Sequence, residues 1–572
     1  MSELYPEAAT IPQRRLRPQA NVGGWCGIAI IAIFLIVFLI YPLIHLFYDA
    51  VTTKELGFTF QNFVQFFSDP FYLHATWRSI VLGLATVLTT SILGVIIAFL
   101  LVRYDFPGRG LFTYLTIIPI IMPPLVGVLG FVFILGRAGT VNVLLMDYLG
   151  FQAPVNFMYG IHGVLLVETL HLFPLMTLNI LDSLSKIDPS LEEAAESVGS
   201  RGWRRIKDIT LPLTTPGFVT GALLVFIWTV SDFATPLVVG VQDLLAPQAY
   251  LNIVQFVDIR LFKMGIVISA IMVILAVVFL IAAKKYVAIK DYSSLAYSTV
   301  ERKRFSPLGN ALVIFFILSV LVFAFIPYFG IALDAFGRAW SLTALPESYT
   351  LHAFKRVIIE TPKFIVNTII YASGATLICL IFGVPIAWIL ARTKLPGRDS
   401  LDSLVTLILA LPGTAIGVAY IRAYRGDIPF TETSLLGMGL VIAIVLGVRR
   451  LPYTVRGTFT SLLIVHKSFE EAAQSVGARK LRTFKDITIP LIWKGILVGS
   501  LYSFILALQE SSATLLLTVP GKEVLAVGIF NFYTSGSRNE AAALGFVLLV
   551  VGALCFIIIN RLAGNRQGGV FG

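Results

Sequence analysis

Two carboxylates stand inside stretches that are otherwise apolar, Asp232 in "IWTVSDFATPLVV" and Glu510 in "ILALQESSATLLL", 278 residues apart. Hydroxyl and amide groups accompany them: Ser231 beside the first, Gln509, Ser511 and Ser512 beside the second. A carboxylate at the centre of a membrane-spanning helix costs about 3 kcal/mol on insertion scales, so each is a candidate functional group. An acidic pair flanking a path through the membrane favours a cationic or metal-bearing species; a bond to a neighbouring helix, or a place near the interface, is the plainer alternative. Prolines recur as well. "IIPIIMPPLVG" (Pro119, Pro123, Pro124) and "LALPGTAIG" (Pro412) interrupt apolar runs, and an offset of 289 aligns Pro123 with Pro412. Such breaks are tolerated where neighbours or a cavity satisfy the freed carbonyls, which fits bent path-lining helices and simple packing kinks alike. His162 and His171, nine residues apart around Glu168, lack metal-ligand spacing on one helical face and read as hydrogen-bonding groups between helices, with no metal site expected. No nucleophile, base and orienting group come together at a membrane face, so an enzyme is not expected.

Membrane spans must carry these residues. Of 572 residues, 57% are hydrophobic and 13% charged, with mean hydropathy +0.87, a balance foreign to water-soluble globular chains. Apolar runs of about 20 residues, enough to cross roughly 30 Å of hydrocarbon, recur twelve times. They fall at 25–47, 79–102, 113–136, 159–181, 216–238, 264–285, 309–331, 367–390, 403–421, 433–448, 491–515 and 541–560. The net charge of +11 does not imply nucleic acid, because about 30 of the 43 Lys and Arg collect in alternate loops, as the positive-inside rule requires. With "PQRRLR" (Arg14, Arg15, Arg17) in the cytoplasm, twelve spans return "NRLAGNRQ" to the cytoplasm too. Cys26, Cys379 and Cys555 fall inside spans and read as small hydrophobes. The first span lacks a small-residue cleavage site and reads as a retained helix.

The chain repeats itself. "RYDFPGRG" (Arg103 to Gly110) returns as "RTKLPGRD" (Arg392 to Asp399) at an offset of 289, and "EEAAESVGSRGWRRIKDITLP" (Glu192 to Pro212) as "EEAAQSVGARKLRTFKDITIP" (Glu470 to Pro490) at 278. The difference of 11 places a longer external loop, "LLMDYLGFQAPVNFM", in the first half. The expected organisation is an all-α membrane protein of about twelve helices in two parallel six-helix repeats. Its parts are a cytoplasmic segment 1–24, halves 25–285 and 309–560 joined by a basic linker 286–308, and a cytoplasmic tail 561–572.

Each Glu-Ala-Ala segment begins with S-x-x-E (Ser190 to Glu193, Ser468 to Glu471), the capping box that starts a helix. Gly199 and Gly477 stand where a helix of two to three turns would stop, and Pro212 and Pro490 break the backbone before the next span. Leu191, Ala194, Ala195 and Val198 share a helical face on which two alanines permit close approach. Caps and nothing more is the plainer reading of the glutamates, yet two copies, one per half, suit a partner that also comes as a pair.

Both copies carry E-A-A, three residues, G, nine residues, I-x-L-P: Glu193, Ala194, Ala195, Gly199, Ile209, Pro212, and Glu471, Ala472, Ala473, Gly477, Ile487, Pro490, with Ile489 as the one departure. This resembles the inner-membrane permeases of binding-protein-dependent ABC importers, and over the whole chain the fused ferric-iron type and its relatives assigned to 2-aminoethylphosphonate. The resemblance implies a type I importer fold and a bacterial inner-membrane location, with the loop as a coupling helix docking into an ATP-hydrolysing subunit. It implies a homodimer of ATP-binding subunits using ATP and magnesium, and an extracytoplasmic solute-binding protein. No G-x-x-x-x-G-K-[ST] loop is present, since "VPGKEV" lacks the upstream glycine and the hydroxyl, so ATP hydrolysis is expected elsewhere. Ferric iron leads as cargo, with phosphonate, sugar-phosphate, polyamine and thiamine as alternatives of the same architecture. A proton- or sodium-driven carrier titrating at Asp232 and Glu510 is the alternative from another class.

Overall fold

The computed structural model describes residues 22–53, 57–255, 257–288, 302–338, 340, 343–427 and 433–563. Residues 1–21, most of the linker and the last nine residues of the tail lie outside them. Among the described residues ten helices are long and apolar enough to cross a membrane: Gly27–Ala50, Pro70–Arg103, Pro124–Leu149, Ile161–Ser185, Trp203–Ser231, Ile259–Val287, Pro307–Phe336, Lys363–Arg392, Leu481–Leu508 and Arg538–Leu562. An eleventh is a broken pair, Arg398–Ala410 and Gly413–Ala423, bent by 107° at Leu411 and Pro412. The first half has its counterpart in Arg109–Ile121 and Pro124–Leu135, with Pro123 at ψ 139° and Pro412 at ψ 138°.

Where a twelfth span is expected at 433–448, a 25-residue helix, Leu440–Ile464, is displaced toward the C-terminus. Arg449, Arg450 and Arg456 lower its hydropathy, so an apolar run read from sequence ends at the first arginine although the helix continues. The fifth and eleventh spans are also shorter at their far ends than the expected 216–238 and 491–515. They stop at Ser231 and Leu508, and the apolar runs read from sequence carry on through the separate short helices Ala234–Val238 and Ser512–Leu517.

Within each half the fourth helix is the centre. Ile161–Ser185 packs on Pro70–Arg103 and Leu211–Ser231, and Leu440–Ile464 packs on Lys363–Ile378 and Ile489–Leu508. The repeat offset of 278 carries Gly217 and Gly221 onto Gly495 and Gly499, a G-x-x-x-G pair in each half. A Cβ on Gly217 would overlap the Asn179 carbonyl and the Ser183 side chain; one on Gly495 would overlap Ser461, the counterpart of Ser183. Such small-residue stripes let backbones meet where lipid offers helices no hydrophobic drive to associate. Gly495→Leu is expected to lower the thermal midpoint of the detergent-purified chain by the equivalent of about 3 kcal/mol. Gly27→Leu, with nothing within 4 Å of its Cβ position, should leave the midpoint unchanged.

The halves embrace. The first span of each packs on the broken helix of the other: Pro307–Phe336 on Pro124–Leu135, and Tyr41–Ala50 on Gly413–Ala423. At the first crossing a Cβ on Gly130 or on Gly330 would strike the partner backbone. At the second, the first span widens into a π turn at Ile36–Ile40, where Tyr424 and Tyr420 donate to the carbonyls of Val37 and Phe38. Arg422 pairs with Asp49 nearby.

Candidate functional sites: paired surface helices and an internal cavity

The repeated segments form the short helices Pro189–Ser197 and Ser468–Ser475. Their glycine stops are as expected. Gly199 and Gly477 have φ of +88° and +92°; the next amides, Ser200 and Ala478, reach back to the carbonyls of Ala195 and Ala473 at 2.9 and 3.1 Å. This is a Schellman ending in both copies. The starts differ from the capping box. In the first copy Asp188 caps, its Oδ1 accepting from Ser190 N at 2.9 Å, because Pro189 with its fixed φ occupies the first helical position. In the second, no side chain caps the helix and Ser468 Oγ bonds His466 Nδ1 at 2.8 Å. Glu193 and Glu471 are therefore not caps; both are exposed.

Their neighbours hold the helices in place. Glu192 Oε1 lies 2.5 Å from Arg103 Nη2 and accepts from Thr210 Oγ1 at 3.0 Å; Glu470 Oε1 lies 3.0 Å from Arg392 Nε and accepts from Thr488 Oγ1 at 3.3 Å. Arg103 and Arg392 open the other repeated mark, so the two duplicated motifs of each half meet in one ion pair. The recurrence of an arginine at both places was the sequence signal for this contact. Ile209 and Ile487 sit in one-turn π segments, Ile206–Thr210 and Phe484–Thr488. Pro212 and Pro490 follow in the next turn without breaking the helix, contrary to expectation, since the π turn re-registers the carbonyls that proline cannot bond. The expected apolar face divides: Ala195 is buried and Ala473 half-buried, Ala194 and Ala472 are exposed, and Val198 and Val476 protrude at 86% and 87% exposure. Trp203 and Leu481, also related by 278, stand exposed close by in sequence.

Asp232, Ser231, Gln509, Glu510 and Ser511 line one cavity of about 100 Å³ between the halves. Asp232 accepts from the amides of Ala234 and Thr235 at 2.9 and 3.3 Å, and Glu510 from that of Ala513 at 3.2 Å. Each carboxylate thus caps the short helix after its span. Glu510 is also ion-paired to Arg449 and Arg450, two mid-span arginines that the sequence reading missed. Ser231 bonds its own helix at the Ile227 carbonyl. Pro123 and Pro412 do not line the cavity, but their neighbours Pro124, Leu411 and Gly413 do. Gln509 donates across the halves to the Ile121 carbonyl, released where Pro123 and Pro124 break the third helix. Glu168 and His171 face the same space, whereas His162 bonds the nearby Asn156 carbonyl at 3.1 Å. Gln509→Leu leaves the Ile121 carbonyl unsatisfied and is expected to cost about 1–3 kcal/mol in thermal unfolding.

Two parallel six-helix halves enclosing a polar cavity have the architecture of a multi-pass membrane transport protein. The chain belongs to the family described as binding-protein-dependent transport system inner membrane component, which matches residues 90–289 and 383–567, once in each half. The ferric transport system permease protein FbpB of Actinobacillus pleuropneumoniae is 27% identical over 555 residues, covering 94% of this chain and 78% of the relative. The molybdenum transport system permease protein ModB of Escherichia coli is 34% identical over 163 residues, 27% of this chain and 69% of the relative. The molybdate/tungstate permease WtpB of Thermococcus kodakarensis is 28% identical over 203 residues, 35% of this chain and 78% of the relative.

Proposed function

We propose that this chain supplies both membrane halves of an ATP-driven importer of ferric iron. A homodimer of separate ATP-binding subunits, using ATP and magnesium, docks on the two short helices, and a solute-binding protein delivers cargo to the opposite face. Both termini and the short helices then face the cytoplasm. The observation that carries this reading is the pair of helices, alike in glycine ending and in Glu–Arg anchor, presenting Val198 with Trp203 and Val476 with Leu481. Ferric iron as cargo rests on the likeness to FbpB over most of the chain. Val198→Asp combined with Val476→Asp is expected to abolish co-purification of the ATP-binding subunit while leaving the thermal midpoint unchanged, since both side chains lie in the open. Undiminished co-purification would refute the docking assignment.

A further inference from the structure

The cavity has two unlike walls. On one lie Glu168, Asp232 and His171. His171 is 9% exposed, its ring interacts with the Pro119 backbone, and its Nε2 is buried without a hydrogen-bond partner. A neutral imidazole keeps a lone pair on one ring nitrogen, and the Glu168 and Asp232 carboxyls bond each other, so this wall offers a carboxyl pair and an imidazole. On the other wall Arg449 and Arg450 share the single carboxylate of Glu510. Each guanidinium has five N–H donors, and Arg450 Nε is buried without a hydrogen-bond partner. Positive charge and donors therefore remain in surplus there. The offset of 278 sets Arg449 and Arg450 where the first half has His171 and Leu172, so the polarity belongs to the difference between the halves. A cavity of about 100 Å³ admits a species of several heavy atoms, since one water needs only about 10–15 Å³.

We propose that this cavity is a cargo site for a small bipolar species, with its cationic centre against Glu168, Asp232 and His171 and its anionic oxygens against Arg449 and Arg450. The proposal rests on the importer reading above but not on iron. A free cation is opposed by the guanidiniums and a free anion by the carboxyl wall, whereas a species carrying both charges satisfies both. A metal cation with a bound oxyanion and an organic zwitterion share this chemistry.

Equilibrium dialysis of the full chain in nanodiscs against ferric ion alone, oxalate alone, their one-to-one complex, and 2-aminoethylphosphonate separates the cases. The complex or the zwitterion is expected to be retained at least about tenfold more tightly than either single ion. Arg449→Gln should remove the gain from the anionic group and Glu168→Gln the gain from the cationic one. Glu168 takes no part in the Glu510 ion pairs, so its variant carries the test if Arg449→Gln does not fold. Retention of the zwitterion and not of the ferric complex would keep the bipolar site and overturn ferric iron as cargo. Equal retention of a single ion, or retention of no probe, would overturn the site.

Discussion

Glu192→Gln combined with Glu470→Gln is expected to lower uptake by at least about tenfold while the associated ATP-binding subunits keep most of their hydrolysis. One carboxylate of each surface helix grips the neighbouring loop, with Glu196 to Arg205 as a further pair in the first, and Arg103 and Arg392 have side chains only 11% and 9% exposed. Breaking a buried pair from one side leaves the other charge uncompensated at about 3–5 kcal/mol, more than the 1.4 kcal/mol that a tenfold change requires. Arg392 also donates to the Val465 carbonyl at 2.7 Å, so it stays in place while the helix it should grip comes loose. Exposed Val198 and Val476 keep the proposed docking surface, so hydrolysis is expected to survive while its transmission does not. Both rates measured in the same proteoliposomes decide this; unchanged uptake would mean that the anchors carry no force. The exposed Glu193 and Glu471, although they begin the family motif, should tolerate Gln with a change of less than about twofold.

Glu510→Gln is expected to be the most damaging single change in the interior. It strands two guanidiniums whose side chains are 13% and 11% exposed, at a cost of about 3–5 kcal/mol, enough to empty the membrane of folded chain. Adding Arg450→Gln should recover part of that loss, because the excess charge falls from two to one, and the coupling in a double-mutant cycle would measure it. Asp232→Asn should cost only about 1 kcal/mol, since the amides of Ala234 and Thr235 can still donate to an amide oxygen and the Glu168 carboxyl beside it can still bond the new side chain. Quantitative blotting of membranes together with thermal unfolding separates these cases. Equal losses for Glu510→Gln and Asp232→Asn would contradict the assignment of the arginines to Glu510.

Repetition made the large features legible. The 278 offset located both surface helices and their glycine stops and brought Asp232 and Glu510 to one cavity; the 289 offset found the matching helix breaks at Pro123 and Pro412. Local rules failed where tertiary partners decide. Ser190 and Ser468 have the spacing of caps, yet Asp188 with Pro189 sets the first start and the second has no side-chain cap. Arg449 and Arg450 read as the end of a span because hydropathy cannot see a counter-ion 60 residues away in sequence. Glu192 and Glu470 drew no assignment from the sequence because their partners stand in a different loop. Pro212 and Pro490 looked like breaks, since a π turn leaves no signature in a hydropathy profile.

The central claim, that this chain is the permease of an ATP-driven importer coupled through its two surface helices, is tested most directly by ferric uptake into proteoliposomes. These would hold the chain, its ATP-binding subunits and its binding protein. Uptake is predicted to require ATP on the face that carries Val198 and Val476, and to be indifferent to collapse of the proton gradient. Uptake that persists without the ATP-binding subunits and disappears with the gradient would contradict the account.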